Sequence, residues 1–337
     1  NLKLAILFES FWLTFTSIAF YWTSLNLFKK KTTSLILSIL FILVIHSSIY
    51  RGFTPDVYYL LPLFLNIGFI FRYINSENLK HLFYAGIFGA FAVLIKQVAA
   101  SVVISSAIII IYYNLKQKKN LKDLLLSTFY YGSGGIIITL FFIIIIAIQG
   151  AFFEMFKQIY DAYLWTKLNS GFSFHSIPAM QMMIRHFTFL TLMGLLSIYT
   201  VYKRKEIFNS KFIYLILLIL FSYLQYIAAR GGSNYYFLPF VSCATLFCGY
   251  FINNIHLLNR KLLFVFLTII TLSMIKFELT QFRFIHKFIR QDILKKSPNN
   301  FSIDYEFRYK TLTNAALLKK NLNKYIPENS TIQYAVR

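Results

Sequence analysis

The amino-acid sequence predicts an all-α polytopic membrane protein of about ten transmembrane helices, followed by the start of a small soluble domain on the outer side. Hydrophobic residues make up 58% of the 337 residues and charged residues only 14%, whereas soluble domains carry about 25% charged residues. Long apolar runs recur along the whole chain, as they do in proteins that cross a membrane many times. Aromatic residues make up 19% of the chain, which excludes a disordered protein because such chains are poor in aromatics.

The net charge of +22 has two explanations. In a soluble protein it would indicate nucleic-acid binding. Here most lysines and arginines form short clusters between apolar runs, which is typical of loops that orient a membrane protein. We therefore predict membrane lipids, and no nucleic acid, among its partners. The two cysteines, Cys243 and Cys248, share one apolar run and match neither a disulfide framework nor a metal site.

A membrane-spanning helix needs about 17–25 mostly apolar residues. One run, 82–114, holds 33 residues and is too long for a single span; Lys96 and Gln97 lie near its middle. It forms either two short helices that turn at Lys96 or one long helix with a buried lysine. The other predicted spans are 5–28, 33–50, 56–72, 124–148, 186–202, 211–229, 235–253 and 262–279.

Cytoplasmic loops of membrane proteins are enriched in lysine and arginine, and this bias distinguishes the two alternatives. With two helices, fifteen basic residues fall on one side and six on the other. With one helix the counts become nine and eleven, which leaves almost no bias, so we predict two helices. The fifteen inner residues are Lys29, Lys30, Lys31, Arg72, Lys80, Lys116, Lys118, Lys119, Lys122, Lys203, Arg204, Lys205, Lys211, Arg260 and Lys261.

This topology defines a membrane domain over residues 1–280 and an extracytoplasmic tail over 281–337, the start of a truncated soluble domain. The outer side also receives the connection 149–185. Within it, aromatic residues of 152–167 recur at near-helical spacing and predict an interfacial amphipathic helix. The chain starts at Asn1 without Met and ends at Arg337 after a turn-like sequence, so we predict that both ends are truncations.

An outer loop contains the first candidate site residues, Arg51 and Asp56. Thr54 suits a helix N-cap and Pro55 the first helical position, which places the Asp56 carboxylate at a positive helix terminus. Asp56 is therefore either a capping carboxylate or a functional carboxylate at the mouth of an outward cavity.

Lys96 is the second candidate. A lysine among apolar residues costs on the order of 2.5–3.5 kcal/mol at membrane depth unless it is paired. At a turn just below the outer interface it would suit an anionic lipid headgroup or a diphosphate. The alternative is a lysine whose side chain reaches up to the interface without binding a ligand.

Arg230 is the third candidate, because Gly231 and Gly232 follow it and permit a tight turn with exposed amides. A planar guanidinium suits phosphate, although a short hairpin with one arginine explains the pattern as well. By contrast, Gly132 and Gly134 lie inside a span and predict close helix packing rather than a site.

Three segments, in order, resemble the polytopic GT-C glycosyltransferases, in particular the protein O-mannosyltransferase and aminoarabinose-transferase-like branch. They are 52–56, which ends in Asp56; 84–97, which ends in Lys96 and Gln97; and 232–239, which contains Asn234 and Tyr235. In that family an acidic residue follows a short outer loop. A second motif, with a lysine near its end, lies at the end of a short span. A third motif, His/Asn–Tyr followed by a proline, lies at the start of a later span.

The resemblance implies an enzyme of the cell membrane that takes a sugar from a polyprenyl-phosphate carrier and transfers it, on the outer face, to a lipid, glycan or protein. The family's principal catalytic aspartate lies in the first outer loop, and the resemblance implies that this chain is a fragment without that loop and the span before it. Asn234 stands where relatives often carry His. The resemblance implies a catalytic role for Asp56, which would either bind a divalent metal or assist the acceptor. It implies donor-phosphate binding for Lys96, Gln97 and Arg230, and pocket lining for Arg51, Asn234 and Tyr235.

A transport or polymerisation protein is the alternative, either a flippase for lipid-linked glycans or a polymerase of the O-antigen type. A flippase would place charges along the bundle interior, reachable from both sides. Here the ionisable candidates gather at one face, which favours an outward-facing enzyme.

Overall fold

A computed structural model of the chain describes residues 2–49, 57–168, 187–228 and 237–288. All regular secondary structure in these residues is helical, which confirms the all-α prediction. Short 3₁₀ turns lie at Gln97–Ala99 and Ile255–Leu257. The α-helices are α1 (Leu2–Phe28), α2 (Lys31–Ile49), α3 (Leu60–Ser76), α4 (Leu79–Ile95), α5 (Ala100–Lys116), α6 (Leu121–Ile148), α7 (Phe152–Leu168), α8 (Thr188–Lys203), α9 (Ser210–Ala228), α10 (Leu238–Phe247), α11 (Gly249–Asn253) and α12 (Arg260–Phe288).

By length and composition, three helical segments of the described residues can cross a membrane: Gln97–Lys116, Leu121–Ile148 and Ser210–Ile227. The prediction of about ten spanning helices is wrong by this measure. Caps and turns take residues from the apolar runs, so that run 235–253 becomes the short helices α10 and α11. A helix of 17 residues such as α3 extends about 25 Å, less than the roughly 30 Å of a bilayer's hydrocarbon core.

Local sequence signals explain where these helices end. Helix α3 stops at Glu77, which adopts a left-handed conformation with φ 56° and donates its backbone N–H to Tyr73 O. Helix α4 starts directly afterwards, because the Asn78 side chain accepts a hydrogen bond from the Lys80 N–H at 3.0 Å. Asn120 caps α6 in the same way, as expected for this residue type.

Helix α6 packs on one side only. Within its apolar window, 11% of the residues are buried, and large side chains such as Phe129, Ile136 and Phe141 are exposed. Exposed apolar area of this extent is unfavourable in water at about 25 cal/mol per Å², whereas lipid chains solvate it well. The burial pattern is therefore the one expected of a helix that contacts a membrane.

Helices α4 and α6 pack closely at glycines, which confirms the prediction of close packing for Gly134. The same prediction for Gly132 is wrong, because a Cβ atom there would meet nothing within 4 Å. A Cβ atom at Gly86 would lie 2.0 Å from the Tyr131 carbonyl oxygen, and one at Gly134 would lie 2.1 Å from the Phe83 carbonyl oxygen. The two backbones are thus in direct contact, and no side chain fits between them. Close backbone approach at small residues is a principal means of helix association in membranes.

A buried polar network connects α4 and four other helices beside this crossing. Asn66 of α3 donates to Ala85 O at 2.7 Å and to Tyr131 Oη at 3.3 Å. Its side-chain oxygen accepts from the Ser106 hydroxyl at 2.9 Å, and Ser106 in turn contacts the Tyr214 hydroxyl at 2.6 Å. Because buried polar groups are costly unless they are paired, this network fixes the arrangement of α3, α5, α6 and α9.

The chain divides into two compact units, Asn1–Ile275 and Lys276–Arg337. The first unit contains α1 to α11 and the start of α12. Residues 289–337, which include most of the predicted tail, lie outside the described residues. The boundary predicted at 280 and the soluble nature of the tail therefore stay predictions.

Candidate functional site

The polypeptide breaks between α4 and α5 at Lys96, which confirms two helices rather than one in the run 82–114. Lys96 is extended, with φ −154° and ψ 125°, and its N–H donates to Ala92 O as the last bond of α4. Its carbonyl oxygen accepts from the Ala99 N–H at 3.0 Å, which forms the 3₁₀ turn that leads into α5. The side chain of Lys96 is half-buried, and that of Gln97 is exposed.

Gln225, near the end of α9, stabilises this break from outside. Its side-chain oxygen accepts from the Ser101 N–H at 3.2 Å, and its side-chain nitrogen donates to Gln97 O at 3.3 Å. The first N–H groups of a helix have no hydrogen-bond partner within the helix. Gln225 supplies such a partner for the Ser101 N–H at the start of α5. The Ser105 hydroxyl joins the same two helices through Leu217 O at 3.2 Å.

Topology places Lys96 far from the basic loops. Helices α4 and α5 are each 17 residues long, which corresponds to about 25 Å. Both leave the basic end of the bundle and meet at Lys96 at the other end. A half-buried cation therefore lies at the end that carries few other basic residues among those the structure describes, as the charge distribution predicted.

Of the predicted site residues, the structure brings together Lys96 and Gln97. Both residues lie at the break, where α4, α5 and α9 hold the backbone on either side. The positions of Lys96 and Gln97 relative to each other are therefore fixed. The other predicted residues lie outside the described part of the chain, and their positions relative to Lys96 stay predictions: Arg51, Asp56, Arg230, Asn234 and Tyr235.

Helix α1 and the residues just before α3 contribute further polar groups at the Lys96 end. The Trp12 indole donates to Tyr58 O at 3.0 Å, and Glu9, about one turn before Trp12 on α1, is half-buried. Tyr59 is fully buried, and its hydroxyl has no hydrogen-bond partner within the described structure. Glu9, Trp12 and Tyr59 thus add a carboxyl, an indole and a hydroxyl group to the polar residues of this end.

Sequence reasoning did not identify Glu9 or Gln225. Both lie inside predicted spans, in 5–28 and 211–229, and a polar residue within an apolar run is a signal of function or of a specific partner. That signal was visible in the sequence. The partners of Gln225, however, depend on the contact between α5 and α9, which no local pattern reveals.

The opposite end of the bundle is basic and has its own ordered contacts. Lys119 forms an ion pair with Glu77 at 2.8 Å, and the Tyr113 hydroxyl donates to Glu77 at 2.9 Å. The Lys119 ammonium, and after it the Tyr113 hydroxyl, lowers the pKa of the Glu77 carboxyl below its ordinary value. The Asn75 side chain donates to Asn26 O at 2.8 Å and joins the ends of α1 and α3.

Metal binding has no support among the residues that the structure describes. Within them, no group of three or more His, Cys, Asp or Glu side chains is arranged to hold a metal ion. Both cysteines are buried and reduced. A divalent metal bound with Asp56 stays a prediction, since Asp56 lies outside the described residues.

Comparison of the chain with protein-family models, with curated proteins and with solved structures gave no match. The resemblance to the GT-C glycosyltransferases therefore rests on the three short segments of the sequence alone.

Proposed function

We propose that this protein is a multi-pass glycosyltransferase of the cell membrane. It transfers a sugar from a polyprenyl-phosphate-linked donor to a lipid, glycan or protein acceptor on the outer face. The observation that carries the proposal is the placement of Lys96, a half-buried cation at a rigid helix break. It lies at the end of the bundle opposite the basic loops, where a donor phosphate would arrive from the outer leaflet.

The chemistry requires a fixed cation at such a position. When the bond between the sugar's C1 and the phosphate oxygen breaks, negative charge builds up on the polyprenyl phosphate. A cation held in place before the reaction stabilises this charge without reorganisation. We assign that role to Lys96, with Gln97 and Arg230 as further phosphate contacts.

The remaining assignments follow from the resemblance. Asp56 would accept the proton of the acceptor hydroxyl as that oxygen attacks C1. Arg51, Asn234 and Tyr235 would line the pocket for the substrates. We further propose that the shorter apolar helices accompany the three long ones in the membrane, which would restore the predicted topology of about ten membrane-embedded helices.

Lys96→Ala tests the proposal. We expect it to lower kcat/KM for a polyprenyl-phosphate sugar by more than tenfold, which is more than about 1.4 kcal/mol of transition-state stabilisation. Lys96→Arg should retain part of the activity, because it keeps the charge but changes its shape. Transfer of radiolabelled hexoses and pentoses from such donors would be measured with the full-length protein in nanodiscs.

Lys80→Ala is the matched control, since Lys80 is an exposed lysine at the opposite end. It should leave transfer unchanged. Equal turnover by the Lys96→Ala and wild-type proteins would refute the role of Lys96. If the wild-type protein instead moves lipid-linked glycans across vesicle membranes without cleaving them, the protein is a flippase.

A further inference from the structure

Two loops at the basic end form one surface, which we call the two-loop surface: the α5–α6 loop with its flanks, 115–122, and the α8–α9 loop with its flanks, 202–208. The Lys116 ammonium donates to Phe208 O and joins the two loops directly. The loops are far apart in the sequence, so their union is a property of the fold. The basic residues of this surface are Lys116, Lys118, Lys119, Lys122, Lys203, Arg204 and Lys205.

Most of this positive charge is not neutralised by the protein. Lys119 pairs with Glu77, and Arg204 pairs with Glu206 at 3.0 Å. Among the residues that the structure describes, the other five lysines form no ion pair. The surface therefore attracts anions.

Apolar side chains project from the same surface. Phe208 is 75% exposed, Leu121 70% and Tyr202 68%. Single exposed apolar residues are common on proteins, but here they alternate with lysines on two joined loops. Amphipathic contact with a membrane interface uses this combination, since aromatic groups enter the headgroup layer and lysines reach the phosphates.

The ends of the three long helices indicate where the two-loop surface lies relative to the membrane. One candidate span ends at Lys116, the next begins at Leu121 and the third begins at Ser210. All three therefore have an end at the two-loop surface, which must lie at the level of the lipid headgroups.

We infer that the two-loop surface binds the headgroups of anionic phospholipids. Phe208, Tyr202 and Leu121 enter the interface, while Lys116, Lys118, Lys122, Lys203 and Lys205 contact lipid phosphates. An acidic polypeptide would satisfy the charge, but it would leave the exposed apolar side chains in water. This inference does not depend on the proposed transferase activity.

Lipid titration of the full-length protein in neutral detergent micelles tests the inference, with thermal unfolding as the readout. A ligand that binds the folded state raises the unfolding temperature. We expect phosphatidylglycerol to act at a lower mole fraction than phosphatidylcholine. Lys118→Gln should raise the half-maximal mole fraction of phosphatidylglycerol about fivefold at low salt. The difference should vanish at about 1 M salt, where the Debye length is about 3 Å.

Two further variants complete the design. Lys157→Gln, which removes an exposed lysine from α7, should leave the midpoint for phosphatidylglycerol at the wild-type value. Phe208→Ser should weaken the response to both lipids equally, because it removes apolar contact and no charge.

The inference fails if the two lipids act at the same mole fraction on the wild-type protein, or if Lys118→Gln and Lys157→Gln behave alike. Polyglutamate provides the last arm, since it carries negative charge without acyl chains. If it stabilises the protein as well as phosphatidylglycerol does, and Phe208→Ser leaves the lipid response unchanged, the partner is an acidic polypeptide and the lipid assignment is wrong.

Discussion

Substitution of Gly134 by alanine is the most direct test of the helix arrangement that positions the break. The added Cβ would lie 2.1 Å from Phe83 O and 3.0 Å from Ile87 N, both backbone atoms of α4. An ordinary carbon–oxygen contact is about 3.3 Å or longer. The two helices would therefore have to separate locally by about 1 Å.

Such a separation has two costs. Inserting a methyl group into a packed contact typically costs about 1–3 kcal/mol. It would also lengthen the 3.3 Å hydrogen bond from Asn66 to the Tyr131 hydroxyl, which bridges the same region. Alanine gains up to about 1 kcal/mol in helix propensity over glycine, so we expect a net loss of about 2 kcal/mol. At roughly 2–4 °C per kcal/mol, the unfolding temperature should fall by about 4–8 °C.

Gly132→Ala is the matched control, because it lies in the same run and its Cβ would meet nothing within 4 Å. That variant should be as stable as the wild-type protein or slightly more stable. Thermal unfolding of both variants would be followed by tryptophan fluorescence in one detergent. Unfolding temperatures that agree within about 1 °C would refute the close contact between α4 and α6.

Two other predictions concern the break and the basic end. Gln225→Leu should speed hydrogen exchange of the Ser101 amide by about three- to tenfold, as expected for one lost hydrogen bond of about 1 kcal/mol; an unchanged rate would show that Gln225 does not hold the break. The pKa of Glu77 is lowered in the folded state, so its stabilising contribution is complete above the ordinary carboxyl pKa of about 4.3 and is lost as the pH falls through the lowered value. The difference in unfolding free energy between the wild-type protein and Glu77→Gln should therefore decrease as the pH falls. It should be at most about 1 kcal/mol at neutral pH, because the Glu77–Lys119 pair is partly exposed. Thermal unfolding that gives the same difference at pH 3 and pH 7 would contradict this.

The break at Lys96 could be predicted because run length and the distribution of basic residues can both be read directly from the sequence. The length of the run 82–114 exceeds one span, and the distribution of basic residues changes strongly with the number of helices in it. The close packing at Gly134 was predictable for a similar reason, since small residues inside an apolar helix have few other roles.

The number of spanning helices could not be predicted in the same way. Hydropathy identifies apolar residues, but caps decide where a helix ends. Glu77 and Asn78 divide α3 from α4 within a few residues, and each helix is left with 17 residues. For α3 and α4, the apolar runs therefore overestimate the length of helix that is available to cross a bilayer.

The partners of polar residues inside the runs were beyond prediction for a further reason. Gln225 acts on α5 from α9, and Asn66 of α3 contacts α4, α5 and α6. Such contacts depend on which helices are neighbours, and that is decided by packing over the whole bundle.

The two ends of the bundle impose different requirements on lysine. At the basic end, Lys116, Lys118 and Lys122 are exposed, so a single one of them can be replaced at little cost to folding. Lys96 is half-buried at a break that Gln225 and the caps of two helices hold in one conformation. A lysine kept in apolar surroundings costs folding free energy that an alanine or leucine would not. The negative charge of the proposed donor phosphate would offset that cost when the donor is bound.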